Sequence, residues 1–210
     1  MPDRQGLLVD WGGVMTTNLF VAFGAFCDAE GLDPARLRDA FRRDREARRL
    51  LIAFEEGKLE DDVFAAGLAA TLGLAPERAE GMVDRMMAGA TPEAAMVDAV
   101  RAARAAGIRT GMVSNSWGAS RYPHDLLDEL FDGVVISGLE GIRKPAPRIY
   151  ELGAERIGLD PAACVFVDDL PFNLEPAREL GMAAVHHTDP GETIRELEVL
   201  LGVPLGGAGR

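Results

Sequence analysis

The chain has 210 residues, 48% hydrophobic and 27% charged, a globular composition that excludes disorder and collagen-like repeats. Thirty-four acidic against 22 basic residues leave a formal charge of −12, a poor match for nucleic acid or an anionic membrane, both of which call for a basic face. A small phosphorylated substrate stays open, because a metal ion can reverse the local sign.

Cys27 and Cys164 make no disulfide framework and read as buried thiols of a reducing compartment. The first residues lack the apolar run of a signal peptide, and no stretch approaches the ~20 apolar residues of a membrane span. The expectation is a soluble, cytoplasmic protein, a monomer or homodimer, with no nucleic-acid or membrane partner.

In chain order, a first strand is predicted at residues 6–10 (GLLVD). A strand-free interval follows from about residue 15 to 90, with apolar residues at helical spacing such as Leu19, Phe23, Phe26 and Val63, Phe64, Leu68, Leu72. It reads as about four helices inserted after the first strand. Further strands are predicted at 109–114 (RTGMVS), 133–137 (GVVIS), 164–168 (CVFVD) and 183–187 (AAVHH), separated by helices. Thr91-Pro92 and Asp160-Pro161 look like helix starts, and Gly31, Gly57, Gly73, Gly107, Gly158 and Gly181 like helix stops. Strands alternating with helices, each strand apolar on both faces, predict an α/β fold with a doubly wound five-stranded parallel sheet. The division is a core of residues 1–14 and 91–202, a helical cap of 15–90, and a flexible tail of 203–210.

Ligands of open α/β sheets bind beyond the carboxyl ends of the strands. Asp10, Ser114-Asn115, Lys144 and Asp168-Asp169 all fall there. Carboxylates hold Mg²⁺, while a hydroxyl and an ammonium hold phosphate oxygens, so the set suits metal-assisted phosphoryl transfer. Lys144 gains weight because Lys58 and Lys144 are the only lysines among the 22 basic residues.

Four motifs in order carry a resemblance across nearly the whole chain: D-W-G-G-V at Asp10, V-S-N-S at Ser114, R-K-P at Lys144 and V-F-V-D-D at Asp168. The chain resembles the haloacid dehalogenase-like (HAD) hydrolases that carry a helical cap after the first motif. The stretches G-I-R-K-P-A-P-R-I-Y, D-D-L-P-F-N-L-E-P-A-R-E-L-G-M and E-E-G-K-L-E-D-D-V-F are similar to bacterial α-glucose-1-phosphatases and to the N-terminal phosphatase domain of soluble epoxide hydrolase. The resemblance implies a Rossmann-like core and a Mg²⁺-dependent phosphatase acting on a small phosphate monoester, a sugar phosphate among the options. By the same resemblance, Asp10 is the nucleophile and a metal ligand, and the Gly12 carbonyl and Asp169 complete the protein ligands. Asp168 shares the ion or stands behind it. Ser114, Asn115 and Lys144 hold the phosphoryl group, and Asn173 supports the metal loop.

One position departs from the family pattern. Most family phosphatases carry aspartate two residues after the nucleophile as general acid and base, and here that residue is Gly12. General acid–base catalysis is worth ~10²–10⁴-fold. The glycine therefore keeps two alternatives in view, a haloacid dehalogenase or phosphonate C–P hydrolase, and a phosphate-binding protein whose catalysis has lapsed. A Schiff-base role for Lys58 belongs to the C–P reading, but its place after Gly57 reads as a solvated turn cation. His186-His187 are adjacent on a strand and point to opposite faces, which disfavours a shared metal. His124 reads as a surface residue at a helix start. Trp11 and Trp117 suit either a leaving-group pocket or packing against the cap.

Overall fold

The computed structural model describes residues 4–206. Five strands, β1 (Gly6–Val9), β2 (Arg109–Ser114), β3 (Gly133–Ile136), β4 (Cys164–Asp168) and β5 (Ala183–His186), form one sheet in the order β3-β2-β1-β4-β5. Every pairing is parallel. Side chains alternate between two covered faces, which explains the consecutive apolar residues of the central strands. Leu7 and Val9, Met112, and Val165 and Val167 face α6 (Ala94–Ala105), α7 (His124–Leu130) and α11 (Pro190–Leu201). Leu8, Val113 and Phe166 face α9 (Pro147–Arg156) and α10 (Pro171–Glu179) on the other side. The short α8 (Ser137–Glu140) follows β3 directly.

With β1 central, Val9 is level with Met112 of β2 and Val167 of β4. The residues that follow, Asp10, Val113-Ser114 and Asp168-Asp169, therefore emerge side by side at one sheet edge. β1, β3 and β5 each end one residue before the predicted boundary. Trp11 N–H turns back onto Asp10 Oδ1 at 2.7 Å, and Ser137 already opens α8.

Between β1 and α6 lie α1 (Leu19–Ala29), α2 (Pro34–Arg43), α3 (Arg45–Glu55), α4 (Asp61–Leu72) and α5 (Met82–Met87), with a 3₁₀ turn at Pro76–Ala79. That is one α-helix more than the about four expected, because α5 is a short segment set off from α4 by the turn. These helices bury their own core of Phe26, Leu37, Leu50, Phe54, Phe64 and Leu68. Their two connections to the sheet pair with each other: Thr17 N–H donates to Thr91 O at 2.8 Å and Glu93 N–H to Met15 O at 2.9 Å. This pairing holds Thr91-Pro92 extended, so α6 starts at Ala94 with Glu93 as its cap rather than at Pro92. Asp160-Pro161 likewise opens only a 3₁₀ turn, Pro161–Ala163. The six predicted helix stops all carry glycine at positive φ.

Cys27 and Cys164 are buried free thiols. The tail predicted from residue 203 is corrected over its first residues: Leu205 is buried in the sheet core, and its N–H reaches Glu198 Oε1 at 2.7 Å. Residues 207–210 of that predicted tail lie outside the described residues. No described helix is long and apolar enough to cross a membrane.

Candidate active site

The ammonium of Lys144 organises the edge. Its Nζ lies 2.8 Å from Asp10 Oδ1 and 2.6 Å from Asp168 Oδ2, fully buried beside the Phe166 ring. The lysine reaches that position because Asn115 clamps its backbone, accepting from Lys144 N–H at 2.8 Å and donating to Lys144 O at 3.2 Å. Asp168 is held on its other oxygen by Leu170 N–H at 2.9 Å and Asn173 Nδ2 at 3.0 Å. Asn173 is itself fixed from behind, its carbonyl accepting the Tyr150 hydroxyl at 2.7 Å.

Asp10, Asp168 and Asp169 each offer a carboxylate oxygen within 4.8 Å of the others. Burial, opposed by Lys144 and reinforced by the two neighbouring acids, pushes the Asp10 carboxyl up to about 8. Burial and then Asp168 push Asp169 up to about 6. Burial works against the Lys144 ammonium, but Asp10 and Asp168 outweigh it and raise its pKa. Three carboxylates sharing one ammonium are short of positive charge, and an all-oxygen donor set is what Mg²⁺ takes. The residues present therefore fit a divalent cation. Asn173 Oδ1, the buried side-chain oxygen without a hydrogen-bond partner among the described residues, adds a spare acceptor next to Asp168.

Ser114 closes β2 with its Oγ 2.8 Å from the Tyr122 hydroxyl, in a nearly sealed position. Gly12 and Gly13 make the turn after Asp10. Gly13 has φ 81°, and a Cβ there would lie 2.6 Å from Asp169 Oδ2, so the approach of this carboxylate requires glycine. A Cβ on Gly12 would instead meet Leu19 Cδ1 of α1.

The structure thus brings Asp10, Lys144, Asp168, Asp169, Asn115, Ser114 and Asn173 together, with Gly12 on the adjoining turn. Several neighbours have no signal in the sequence beyond their motifs. Glu55, the last residue of α3, is buried. It accepts from Arg143 Nε and, at 3.5 Å, from Asn115 Nδ2, and its carbonyl accepts the Ser137 hydroxyl. Ser137 in turn accepts Ser116 N–H at 2.8 Å. Burial raises the Glu55 pKa against the pull of Arg143. A buried glutamate inside E-E-G-K-L-E could have been marked only by the oddity of an acid closing an amphipathic helix.

Trp117 leaves the sheet edge entirely and packs among Phe23, Phe41, Phe54 and Phe64 of the insertion, with ring centroids 5.3, 6.0, 6.2 and 5.9 Å away. Trp11 lies against Tyr122 at 6.0 Å. Lys58 is exposed and paired with Glu56 at 2.7 Å, as expected of a turn cation. His186 Nε2 is 3.1 Å from the Asp169 carbonyl, His187 is turned to Thr193 Oγ1 at 2.9 Å, and His124 opens α7. A cavity of about 500 Å³ opens beside Gly13 and Asp169, walled by Thr17, Asn18, Phe20 and His186–Thr188.

The profile of the haloacid dehalogenase-like hydrolases matches residues 5–181. The chain belongs to this family. It is 33% identical over 153 residues to the sesquiterpene phosphatase astK of Aspergillus oryzae, covering 71% of this chain and 78% of that one. Against bifunctional epoxide hydrolase 2 of Rattus norvegicus it is 32% identical over 114 residues, 51% of this chain but only 21% of that protein. A HAD-like family hydrolase from Porphyromonas gingivalis shares the fold with a TM-score of 0.71 at 22% identity, covering 95% of this chain and 98% of the other. The chain is a HAD-like hydrolase, with the family's α/β sheet and a helical insertion after its first strand.

Proposed function

We propose that this HAD-like hydrolase is a Mg²⁺-dependent phosphomonoesterase that works through an aspartyl phosphate on Asp10. The observation that carries the reading is the ammonium of Lys144 held between Asp10 and Asp168 while Asp10, Asp168 and Asp169 converge within 4.8 Å. Asp10, Asp169 and the Gly12 carbonyl would hold Mg²⁺, with Asp168 behind them. The bound cation supplies charge neutralisation and Lewis-acid polarisation of a phosphoryl oxygen.

The chain's own groups do the rest. Lys144 holds one Asp10 oxygen, which orients the carboxylate and offsets its repulsion from an incoming phosphate dianion. An Asp10 oxygen attacks phosphorus, the bond to the leaving oxygen breaks, and the electron pair departs with that oxygen. Ser114 Oγ and the Asn115 N–H donate to the phosphoryl oxygens as they change orientation. Water then cleaves the phosphorus–oxygen bond of the aspartyl phosphate and regenerates Asp10. With glycine at residue 12, the leaving oxygen departs close to an anion or takes its proton from water or from the substrate. The cavity beside Asp169 offers room for the organic part of a small ester. The functional division follows: residues 1–14 and 91–202 carry the chemistry, and 15–90 cap it.

Gly12 favours one competing reading, since a halide needs no proton to leave and Asp10 could displace it from a haloacid. The triad weighs against this, because a haloacid carboxylate would meet three carboxylates and one ammonium. The test is turnover of sugar, nucleotide and lipid phosphates with Mg²⁺ and with EDTA, beside chloride and fluoride release from 2-haloacids. Mg²⁺-dependent phosphate release supports the proposal. Halide release that ignores EDTA overturns it, and tight Mg²⁺ and phosphate binding without any turnover identifies a lapsed enzyme.

A further inference from the structure

Tyr122 is a buried polar side chain next to the reaction centre that the mechanism above leaves unused. It follows the loop after β2, eight residues beyond Ser114, and its ring packs against Trp11 and the sheet core. Its hydroxyl meets Ser114 Oγ at 2.8 Å. The phenol carries one proton, and burial raises its pKa and keeps that proton in place. The phenol's other hydroxyl neighbour, Ser116 Oγ, already accepts Gly118 N–H at 3.1 Å. If Ser114 donated to Tyr122 and Tyr122 to Ser116, the proton of Ser116 would be left buried without an acceptor among the described residues, a loss of the order of 1–3 kcal/mol. The favourable arrangement is the reverse, with the phenol donating and the Ser114 oxygen accepting.

That direction has a consequence for Ser114. A serine hydroxyl has one proton and rotates to suit its neighbours. Its alternative acceptor in the chain is the Asn115 carbonyl, at a long 3.4 Å. With Tyr122 occupying a lone pair, the serine proton is turned away from the core and is free to be given to a bound anion. We propose that Tyr122 is a positioning residue that fixes the proton direction of Ser114, so that the serine enters the reaction as a ready donor to a phosphoryl oxygen. The inference rests on the phosphatase reading. The Trp11 ring packs against the phenol, and the residue before it in the loop, Arg121, is tied to Asp84 at 2.7 Å and to Asp61. The loop that returns to Ser114 therefore has little freedom to withdraw it.

The test is a double-mutant cycle of Tyr122→Phe and Ser114→Ala. It is read by kcat/KM on p-nitrophenyl phosphate and by the Kd of orthovanadate, both with Mg²⁺, and thermal melting confirms that each variant is folded. Tyr122→Phe keeps the ring against Trp11 and deletes only the hydroxyl. In the wild-type background it is expected to lower kcat/KM about tenfold and to weaken vanadate binding by a similar factor. In the Ser114→Ala background it should change neither by more than about twofold, because its route of action is gone. Equal losses in both backgrounds would show that Tyr122 acts through packing or touches the ligand itself, and no loss in the wild type would show that the hydroxyl directs nothing. Either result overturns the inference while leaving the phosphatase reading standing. If the wild-type protein neither turns over the ester nor binds vanadate, the phosphatase reading fails and this inference falls with it.

Discussion

Leu19 Cδ1 occupies the place where a side chain on residue 12 would begin, 2.6 Å from the Cβ position of Gly12. The methyl group comes from the first turn of α1, so the helical insertion itself fills the space in which other phosphatases of the family would carry a carboxyl group. Gly12→Asp alone therefore requires the end of the half-buried Leu19 side chain to turn aside, and is expected to cost no more than about 1 kcal/mol and to gain little activity while that methyl group competes for the space. Combined with Leu19→Ala, which opens the space, it should recover most of the stability and raise kcat/KM on primary alkyl phosphates. Urea unfolding and steady-state kinetics on the single and double variants check both halves.

For the unmodified enzyme, the proposed mechanism without an acid at residue 12 predicts a steep leaving-group dependence. Aryl, acyl and anomeric sugar phosphates should be hydrolysed faster than primary alkyl phosphates, with log kcat/KM falling as the leaving-group pKa rises. A series of graded aryl and alkyl esters measures the slope. A flat line with chemistry rate-limiting would mean that a residue of the chain supplies the proton.

The two aspartates closing β4 should part company on mutation. Asp168 is bonded to Lys144, Leu170 and Asn173, so Asp168→Ala strips a buried ammonium of one partner and is expected to destabilise the fold by about 3–5 kcal/mol. Among the described residues the Asp169 carboxylate has no hydrogen bond or ion pair to another residue, and Asp169→Ala should melt near the wild-type temperature while losing Mg²⁺ affinity and turnover. Calorimetric Mg²⁺ titration beside thermal melting separates the two.

A third pair of expectations concerns Glu55. Glu55→Ala leaves Arg143 without its partner and frees the Asn115 side chain that clamps Lys144, and kcat/KM should fall about tenfold or more. Glu55→Gln keeps a hydrogen-bonding oxygen for both groups and should retain most of the activity. The contrast is read from kinetics, with circular dichroism as the control for folding.

Stability should also carry a signature of His187. Burial lowers its pKa, so the folded chain keeps the ring neutral where an unfolded histidine, at about 6.5, takes up a proton. Below that pH the unfolded state binds the extra proton, and stability is lost as the pH falls from about 6.5 towards the folded-state value. His187→Gln should remove this component. Urea unfolding of both proteins at pH 5.5 and 7.5 shows whether the wild type loses more on acidification.

The sheet is readable because its central strands β1, β2 and β4 are buried on both faces and announce themselves as apolar runs, and because acids and a hydroxyl at the ends of such runs have few structural uses. Asp10, Ser114 and Asp168-Asp169 stood out on that ground, and Lys144 by its rarity in an arginine-rich chain. Glu55, Tyr122 and Leu19 did not, since their importance lies in what they meet across the fold. Glu55 is sixty residues from Asn115 in the chain, and Leu19 reaches Gly12 only because α1 folds back over the turn. Helix starts failed for a related reason: Thr91-Pro92 has the chemistry of a helix start, but pairing with Thr16 claims its backbone.

Trp117 gives the molecule an inseparability that a division into two lobes hides. It belongs by sequence to the loop that follows Ser114, yet four phenylalanines of the helical insertion surround it. The insertion's hydrophobic core is completed by a residue from the other lobe, so neither can melt without exposing the other. A single calorimetric transition follows, and an insertion grafted from a relative would need the donor's counterpart of residues 116–122 to travel with it.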